Sequence, residues 1–261
     1  MREFSAEYLQ TTREGMWDQS REALDPLQLD ACERVLDVGA GTGALTRVLH
    51  AETPGEVVAL DADRSLLETV GHPRVQGDAV SLPFGDDTFD AVVCQALLVN
   101  LPDPLAAVRE FARVSRGRVA AIEPDNSAVS IDSTVEAEAP LARRARELYL
   151  QGVETNASLG AARTLFGDAG LEDIVVRQYD HERVIEPPYD EYALTAAQRK
   201  ASGEGLAHDR ETVLAGETTP EEFDALKQEW RSMGRHVIEQ MQADEYRQRE
   251  VVPFFVTVGR V

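Results

Sequence analysis

The 261-residue chain predicts an α/β fold: a doubly wound, mostly parallel sheet of seven strands with helical insertions. Three observations carry the prediction. Short β-branched apolar runs alternate along the chain with stretches of helical periodicity. One such run, Arg34 to Val38, passes through Gly39-Ala40-Gly41-Thr42-Gly43 into apolar residues at helical spacing, Leu45, Val48 and Leu49. The next run, Glu56 to Leu60, ends in an acid, Asp61.

Residues 5 to 24 read as helical, with Tyr8, Leu9, Met16, Trp17 and Leu24 apolar among charges and Pro26 as the stop. Lying ahead of the glycine turn, residues 1–30 are expected to fold back as a lid over the remaining domain, 31–261, with Tyr8, Arg13 and Trp17 as candidate contacts. Plain packing of Tyr8 and Trp17 against the domain is the competing reading. At the turn itself Gly39, Gly41 and Gly43 lack Cβ atoms, so a ligand can approach bare backbone at a helix start. Asp37, two residues ahead, would repel a pyrophosphate but attract an ammonium or sulfonium group. The spacing also departs from the dinucleotide fingerprint, because Ala44 stands where its last glycine would be. A nicotinamide dehydrogenase is therefore disfavoured.

Asp61 is placed to accept hydrogen bonds from a ribose, and Asp63 to cap a helix containing Leu66 and Leu67. A third strand is expected over residues 72–79, running into Asp78, which could accept an adenine amino group. Leu82-Pro83-Phe84 supplies an apolar wall, Asp86-Asp87 a polar turn, and Phe89 to Cys94 a fourth strand buried on both faces.

Taken together, Asp37-x-Gly39-x-Gly41-x-Gly43, Asp61, Gly77-Asp78-Ala79, Leu82-Pro83-Phe84, Phe89-Asp90 and Leu101-Pro102-Asp103-Pro104 resemble the class I S-adenosylmethionine-dependent methyltransferases. The resemblance is to the small-molecule branch that includes quinone-biosynthesis enzymes, and it covers residues 33–125. It implies a Rossmann-like sheet with an antiparallel last strand and S-adenosylmethionine as cofactor. The glycine turn, Gly39-Ala40-Gly41-Thr42-Gly43, would hold its methionine part, Asp61 its ribose, and Asp78 with Ala79 its adenine, with Asp37, Ala62 and Gln95 also among the cofactor-binding residues. Asn100 stands where relatives often carry histidine. Pro187-Pro188-Tyr189 resembles a motif of amide and base methyltransferases, but that motif belongs after the fourth strand, where this chain has Gln95-Ala96-Leu97; it reads as a turn.

A helix over 103–115 leads to a fifth strand, 118–122, and then to Glu123-Pro124-Asp125. Ligands of open α/β sheets bind beyond the carboxyl ends of the strands, so Gln95, Glu123 and Asp125 are expected to face one crevice. Glu123 and Asp125 are the candidate general bases for a hydroxyl or enol acceptor, with Gln95 or Asn100 orienting it. Helical insertions are expected at about 127–169 and 181–250, with Gly170 as a C-cap, a break at Pro187-Pro188 and a helix start at Thr219-Pro220-Glu221-Glu222. The sixth and seventh strands are read over 171–177 and 254–258. The resemblance leaves two function classes, an enzyme methylating a small molecule and a non-catalytic or regulatory cofactor-binding protein of the same fold.

Composition narrows the partners. A formal charge of −21 opposes nucleic acid and anionic membrane surfaces. No secretory or spanning run is read, which predicts a soluble cytoplasmic protein. Two cysteines, Cys32 and Cys94, suit reduced core thiols, and His50, His72, His181, His208 and His236 show no metal-ligand spacing. Lys200 and Lys227 are the only lysines among 26 basic residues, and with 47 acids this suggests a high-salt cytoplasm. At molar salt the Debye length falls to about 3 Å and self-repulsion among surface carboxylates is largely screened. Thermal denaturation should therefore show a melting temperature that rises as KCl goes from about 0.1 M toward the molar range. A flat or falling trend would remove the halophilic reading.

Overall fold

The computed structural model describes residues 16–17, 21–71 and 73–261. Two compact units emerge, one made of residues up to Asp125 with Leu159–Tyr179 and Phe254–Val261, the other of Asn126–Ser158 and Asp180–Pro253. The strands are β1 (Arg34–Val38), β2 (Glu56–Asp61), β3 (Arg74–Gln76), β4 (Phe89–Gln95), β5 (Ser115–Pro124), β6 (Ser130–Ser133), β7 (Glu172–Ile185) and β8 (Gln248–Arg260). Their order is β3-β2-β1-β4-β5-β8-β6, with β7 also paired to β8. The first five are parallel and β8 runs antiparallel to β5, so the mostly parallel sheet with an antiparallel last strand is as expected.

The expected seven strands are eight among the described residues. Ser130-Ile131-Asp132-Ser133 pairs antiparallel with Gln248–Val251, and this pairing is also why β8 begins six residues before the apolar run at Phe254. With one apolar side chain in four, β6 has no alternation to read. The third strand is three residues rather than eight, and Asp78 lies beyond it in an isolated bridge to Ser81. β7 continues past Arg177 because Tyr179, His181, Arg183 and Ile185 keep alternating inward, a period-2 pattern disguised by two polar members.

In the first unit β1 and β4 are the central pair, with Val38 beside Cys94. Val35, Leu36, Val38, Ala91, Val92, Val93 and Cys94 are fully buried, which is why these runs are continuously apolar rather than alternating. Helices α1 (Ala44–Glu52), α2 (Arg64–Leu67) and α3 (Pro104–Val114) connect the parallel strands. Asp63 caps α2 by accepting the Ser65 N–H at 2.8 Å, and Asp103 caps α3 with Pro104 at its first position. Arg113 on α3 holds the Leu82-Pro83-Phe84 wall by donating to the Leu82 and Phe84 carbonyls while paired with Glu110 and Asp86. Cys32 and Cys94 are buried free thiols, and Cys94 is pushed well above the ordinary thiol range by burial and by the charge of Glu123.

Asp90 staples the sheet's opposite end. Its carboxylate accepts the Glu33 and Arg34 N–H groups at 2.8 and 2.9 Å and the Arg116 guanidinium at 2.7 Å. Burial alone would raise its pKa, but the Arg34 N–H, Arg116 and the Glu33 N–H outweigh that and hold it below the usual carboxylate range. A depressed folded pKa contributes stability above the unfolded value of about 3.9, lost as pH falls through the folded one. Asp90→Asn should accordingly lose stability at pH 7 and show a flatter decline below about pH 4 in urea titrations; parallel declines would refute this.

The second unit is helical, with α4 (Glu138–Gly152), α6 (Glu191–Ser202), α7 (Glu204–His208), α8 (Arg210–Ala215) and α9 (Pro220–Gln242); the short α5 (Arg163–Asp168) belongs to the first unit. The Thr219 side chain and Glu222 form the reciprocal capping box that starts α9. Gly170 takes a left-handed φ of 85° just past α5, where a glycine C-cap was expected. Phe223, Leu226, Met233 and Val237 on α9 pack with Ala193, Ala197 and Val213. Among the described residues no helix is long and apolar enough to cross a membrane.

One polar knot interrupts this core. Glu138 is 1% exposed and pairs with Lys200, accepts the Tyr246 hydroxyl at 2.9 Å and accepts the Ser133 hydroxyl at 2.6 Å. Breaking a buried pair strands a charge, so Lys200→Met should cost about 3 kcal/mol in urea denaturation. Adding Glu138→Gln should restore part of that loss, because the stranded charge is then gone. Additive losses in the double variant would show that the pair is not coupled.

Candidate functional site

The chain order changes direction between β1 and β4: β2 and β3 lie to one side of β1, β4 and β5 to the other. In a parallel sheet that switch opens a crevice beyond the carboxyl ends, here those of Val38, Asp61, Gln95 and Pro124. The turn following β1 sits at its centre.

Gly39, Gly41 and Gly43 all have positive φ, at 72°, 54° and 77°, a conformation that favours a residue without Cβ. The turn's amides are largely committed within the protein. Gly39 and Ala40 both donate to the Leu60 carbonyl, Gly43 to the Ala40 carbonyl, and Gly41 to the Asp61 carboxylate at 2.8 Å. Four of the five N–H groups from Gly39 to Gly43 are thus taken, leaving little of the amide cradle that a pyrophosphate uses.

Asp61 is half-buried at the end of β2, and its other oxygen accepts the Asp63 N–H at 2.9 Å. Asp61 and the glycine turn, separate in sequence, therefore meet directly. Asp37 is 1% exposed and accepts the Thr46 hydroxyl at 2.6 Å, which ties β1 to α1 from beneath the turn. Ala62 is exposed, and its carbonyl accepts the Gln76 amide. Asp78 is exposed and accepts the Val80 N–H, whereas Ala79 is buried in the core beside Leu60 and Leu82.

Gln95 closes β4 rather than following it, is 2% exposed, and donates its amide to the Met16 sulfur at 2.8 Å. That contact places Met16 at the carboxyl end of β4. The adjacent Trp17 is 6% exposed, and its indole N–H is buried with no hydrogen-bond partner. Tyr8, Arg13 and most of the expected lid lie outside the described residues; Arg21–Leu27 is a 3-10 helix with Pro26 inside it instead of at a helix end.

Glu123 lies inside β5 and not beyond it, and it is fully buried. Its carboxylate accepts the N–H groups of Leu97 at 3.1 Å, Leu98 at 2.9 Å and Val99 at 3.3 Å. Asp125, beyond the strand end, is half-buried. Asn100 donates its side-chain amide to the Ala96 carbonyl at 2.9 Å, holding the post-β4 loop together.

The sequence reading missed Leu97. Its side chain covers Gly39, with Cδ1 at 2.9 Å from the position a Cβ would occupy. Within Ala96-Leu97-Leu98-Val99 nothing distinguishes it from a core residue; the signal that could have found it is its place after the fourth strand, facing a glycine.

Residues 36–121 match the family described as "Methyltransferase domain". A demethylmenaquinone methyltransferase of Corynebacterium kroppenstedtii is 36% identical over 124 residues, 46% of this chain and 52% of that protein. One of Clavibacter sepedonicus is 37% identical over 134 residues, 47% and 50% of the two chains. The chain thus spans about half the length of the curated relatives it matches. Among solved structures, a candidate methyltransferase of Bacillus halodurans superposes with a TM-score of 0.54 at 16% identity, covering 93% of this chain and 98% of that one, which establishes the shared fold. The stretch that matches the methyltransferase domain, residues 36–121, is the one that carries the glycine turn and Asp61.

Proposed function

We propose that the chain transfers a methyl group from S-adenosylmethionine to a small-molecule acceptor. The observation that carries the reading is the hydrogen bond from Gly41 to Asp61, which joins a glycine turn to a carboxylate in one crevice. The residues suit the cofactor. Asp61 keeps lone pairs for ribose hydroxyls, the three glycines leave room for close approach, and the unpaired Trp17 N–H is a donor that a polar ligand group would satisfy. Asp37 adds a buried negative charge beneath the turn, favourable to an ammonium or sulfonium above it. Asp78 and Ala79 beyond β3 would serve the adenine, and Ala62 borders the ribose side.

The bound sulfonium supplies an activated methyl group, so this chain's task is positioning. Holding donor and nucleophile about 3 to 3.5 Å apart in line lowers the barrier by several kcal/mol, and excluding water protects that geometry. Of the two candidate bases, Asp125 suits proton acceptance better, since it stands beyond the strand end and is half-buried, whereas Glu123 faces backbone N–H groups. The name of the relatives makes quinones the first acceptors to assay. The acid excess and the expected cytoplasmic setting belong to the same reading, with no nucleic-acid partner.

Calorimetric titration with S-adenosylhomocysteine tests the binding. Charge-assisted hydrogen bonds are worth about 1.5 to 3 kcal/mol, and each 1.4 kcal/mol is tenfold, so Asp61→Ala should weaken affinity about tenfold or more. Trp17→Phe, which removes the N–H together with part of the indole ring, should weaken it several-fold. Asp63→Ala loses a helix cap and should leave affinity alone. Unchanged affinity in a folded Asp61→Ala protein would sink the assignment. Binding without transfer of a radiolabelled methyl group to any of a quinone and metabolite panel would favour the non-catalytic alternative.

A further inference from the structure

We propose that Glu123 is a positioning residue that fixes Leu97 against Gly39, and that Leu97 forms the wall on which the cofactor packs beside the glycine turn. The inference rests on the cofactor reading above for its second half only. Three consecutive N–H groups, Leu97, Leu98 and Val99, converge on one fully buried carboxylate. Such convergence stabilises the ionised form and fixes the backbone that supplies the donors. The Cys94 thiol lies against the same oxygen at 3.7 Å, so Oε1 has three neighbouring donors and no path to solvent. A general base must reach the proton it removes, and this carboxylate is turned to the loop instead.

The loop is held in a conformation it would not adopt alone. Ala96 takes φ 48°, left-handed backbone that costs a residue with Cβ free energy unless its surroundings enforce it. Its N–H bonds the Ile122 carbonyl, and its own carbonyl takes the Asn100 amide. The next residue, Leu97, then points across to β1, where its Cδ1, Cδ2 and Cγ lie 2.9, 3.2 and 3.3 Å from where a Gly39 Cβ would stand. Gly39 is therefore bare on the side that Leu97 covers, and Leu97 itself stays partly exposed. Leu97 stands in the loop after β4, at the switch point between β1 and β4 where a ligand of this sheet type binds. Gly39, Leu97 and the post-β4 loop thus form one chain of contacts with Glu123 at its root.

The test is a double-variant cycle on the full chain, reading S-adenosylhomocysteine affinity by calorimetry and amide exchange at residues 97–99 by mass spectrometry. Leu97→Ala should weaken binding about fivefold with little change in melting temperature. Glu123→Ala should weaken it about tenfold and speed exchange at Leu97, Leu98 and Val99. Glu123→Gln keeps an oxygen for Leu97 and Leu98 and loses the acceptor for Val99, so it should fall between wild type and Glu123→Ala, and it carries the test if the alanine variant does not fold. If Glu123 acts through Leu97, the double variant binds no worse than Glu123→Ala alone. Losses that multiply, or exchange at 97–99 that is unchanged in the glutamine variant, would overturn the proposal. Wild-type binding that is unaffected by Leu97→Ala would overturn the wall and leave the cofactor reading standing. Wild-type protein that does not bind S-adenosylhomocysteine would overturn both.

Discussion

The register of β1 against β4, with Val38 beside Cys94, decides where everything in the first unit can stand. It sets the two carboxyl ends level, so that the turn after β1 and the loop after β4 face each other across one strand spacing, about 4.8 Å. Only because of this can Leu97 rest on Gly39, and only because Gly39 lacks a Cβ can the loop come that close. A slip of one residue would break this level alignment and move the loop after β4 off Gly39.

Carboxylates do much of the remaining work, and they do it by accepting backbone N–H groups. Asp90 joins the beginnings of β1 and β4, Asp61 joins the end of β2 to the glycine turn, and Glu123 joins β5 to the post-β4 loop. In each case a side chain from one strand satisfies donors that the adjacent segment leaves over, which is the condition for burying irregular backbone at all. An acidic composition is commonly a matter of surface charge. Here some of that acidity is structural, and the fully buried Glu123 is insulated from the salt that screens the surface carboxylates.

How legible this was in the sequence depends on whether a feature is local. The turn at Gly39–Gly43, the caps at Asp63 and Thr219 and the parallel strands were legible because each is written in adjacent residues whose conformational preferences agree. β6 was not, since Ser130–Ser133 becomes a strand only by pairing with residues more than a hundred positions away. Glu123 shows the same limit at the site. Its sequence neighbourhood, Glu123-Pro124-Asp125, places two acids after a strand and invites a catalytic reading; what separates them is that β5 runs two residues further than its apolar segment and carries Glu123 under the loop with it. Leu97 and the Glu138–Lys200 pair are contacts between distant segments, invisible to any local pattern.

The amides of the glycine turn bear on which ligand the crevice can take. A dinucleotide site works by leaving N–H groups of the turn and helix start unpaired and aimed at phosphate oxygens. In this chain Leu60, Ala40 and Asp61 accept the N–H groups of Gly39, Ala40, Gly41 and Gly43, and the acceptor nearest the turn's centre is an anion. A phosphate there would meet Asp61 at close range with few donors to offset the repulsion, whereas a neutral ribose would meet a carboxylate with lone pairs to spare. The buried charge of Asp37 acts in the same sense on whatever lies above it. The glycines alone therefore say only that something approaches closely; the commitment of four turn N–H groups and the carboxylate beside them favour a neutral or cationic group over a phosphate at the turn itself.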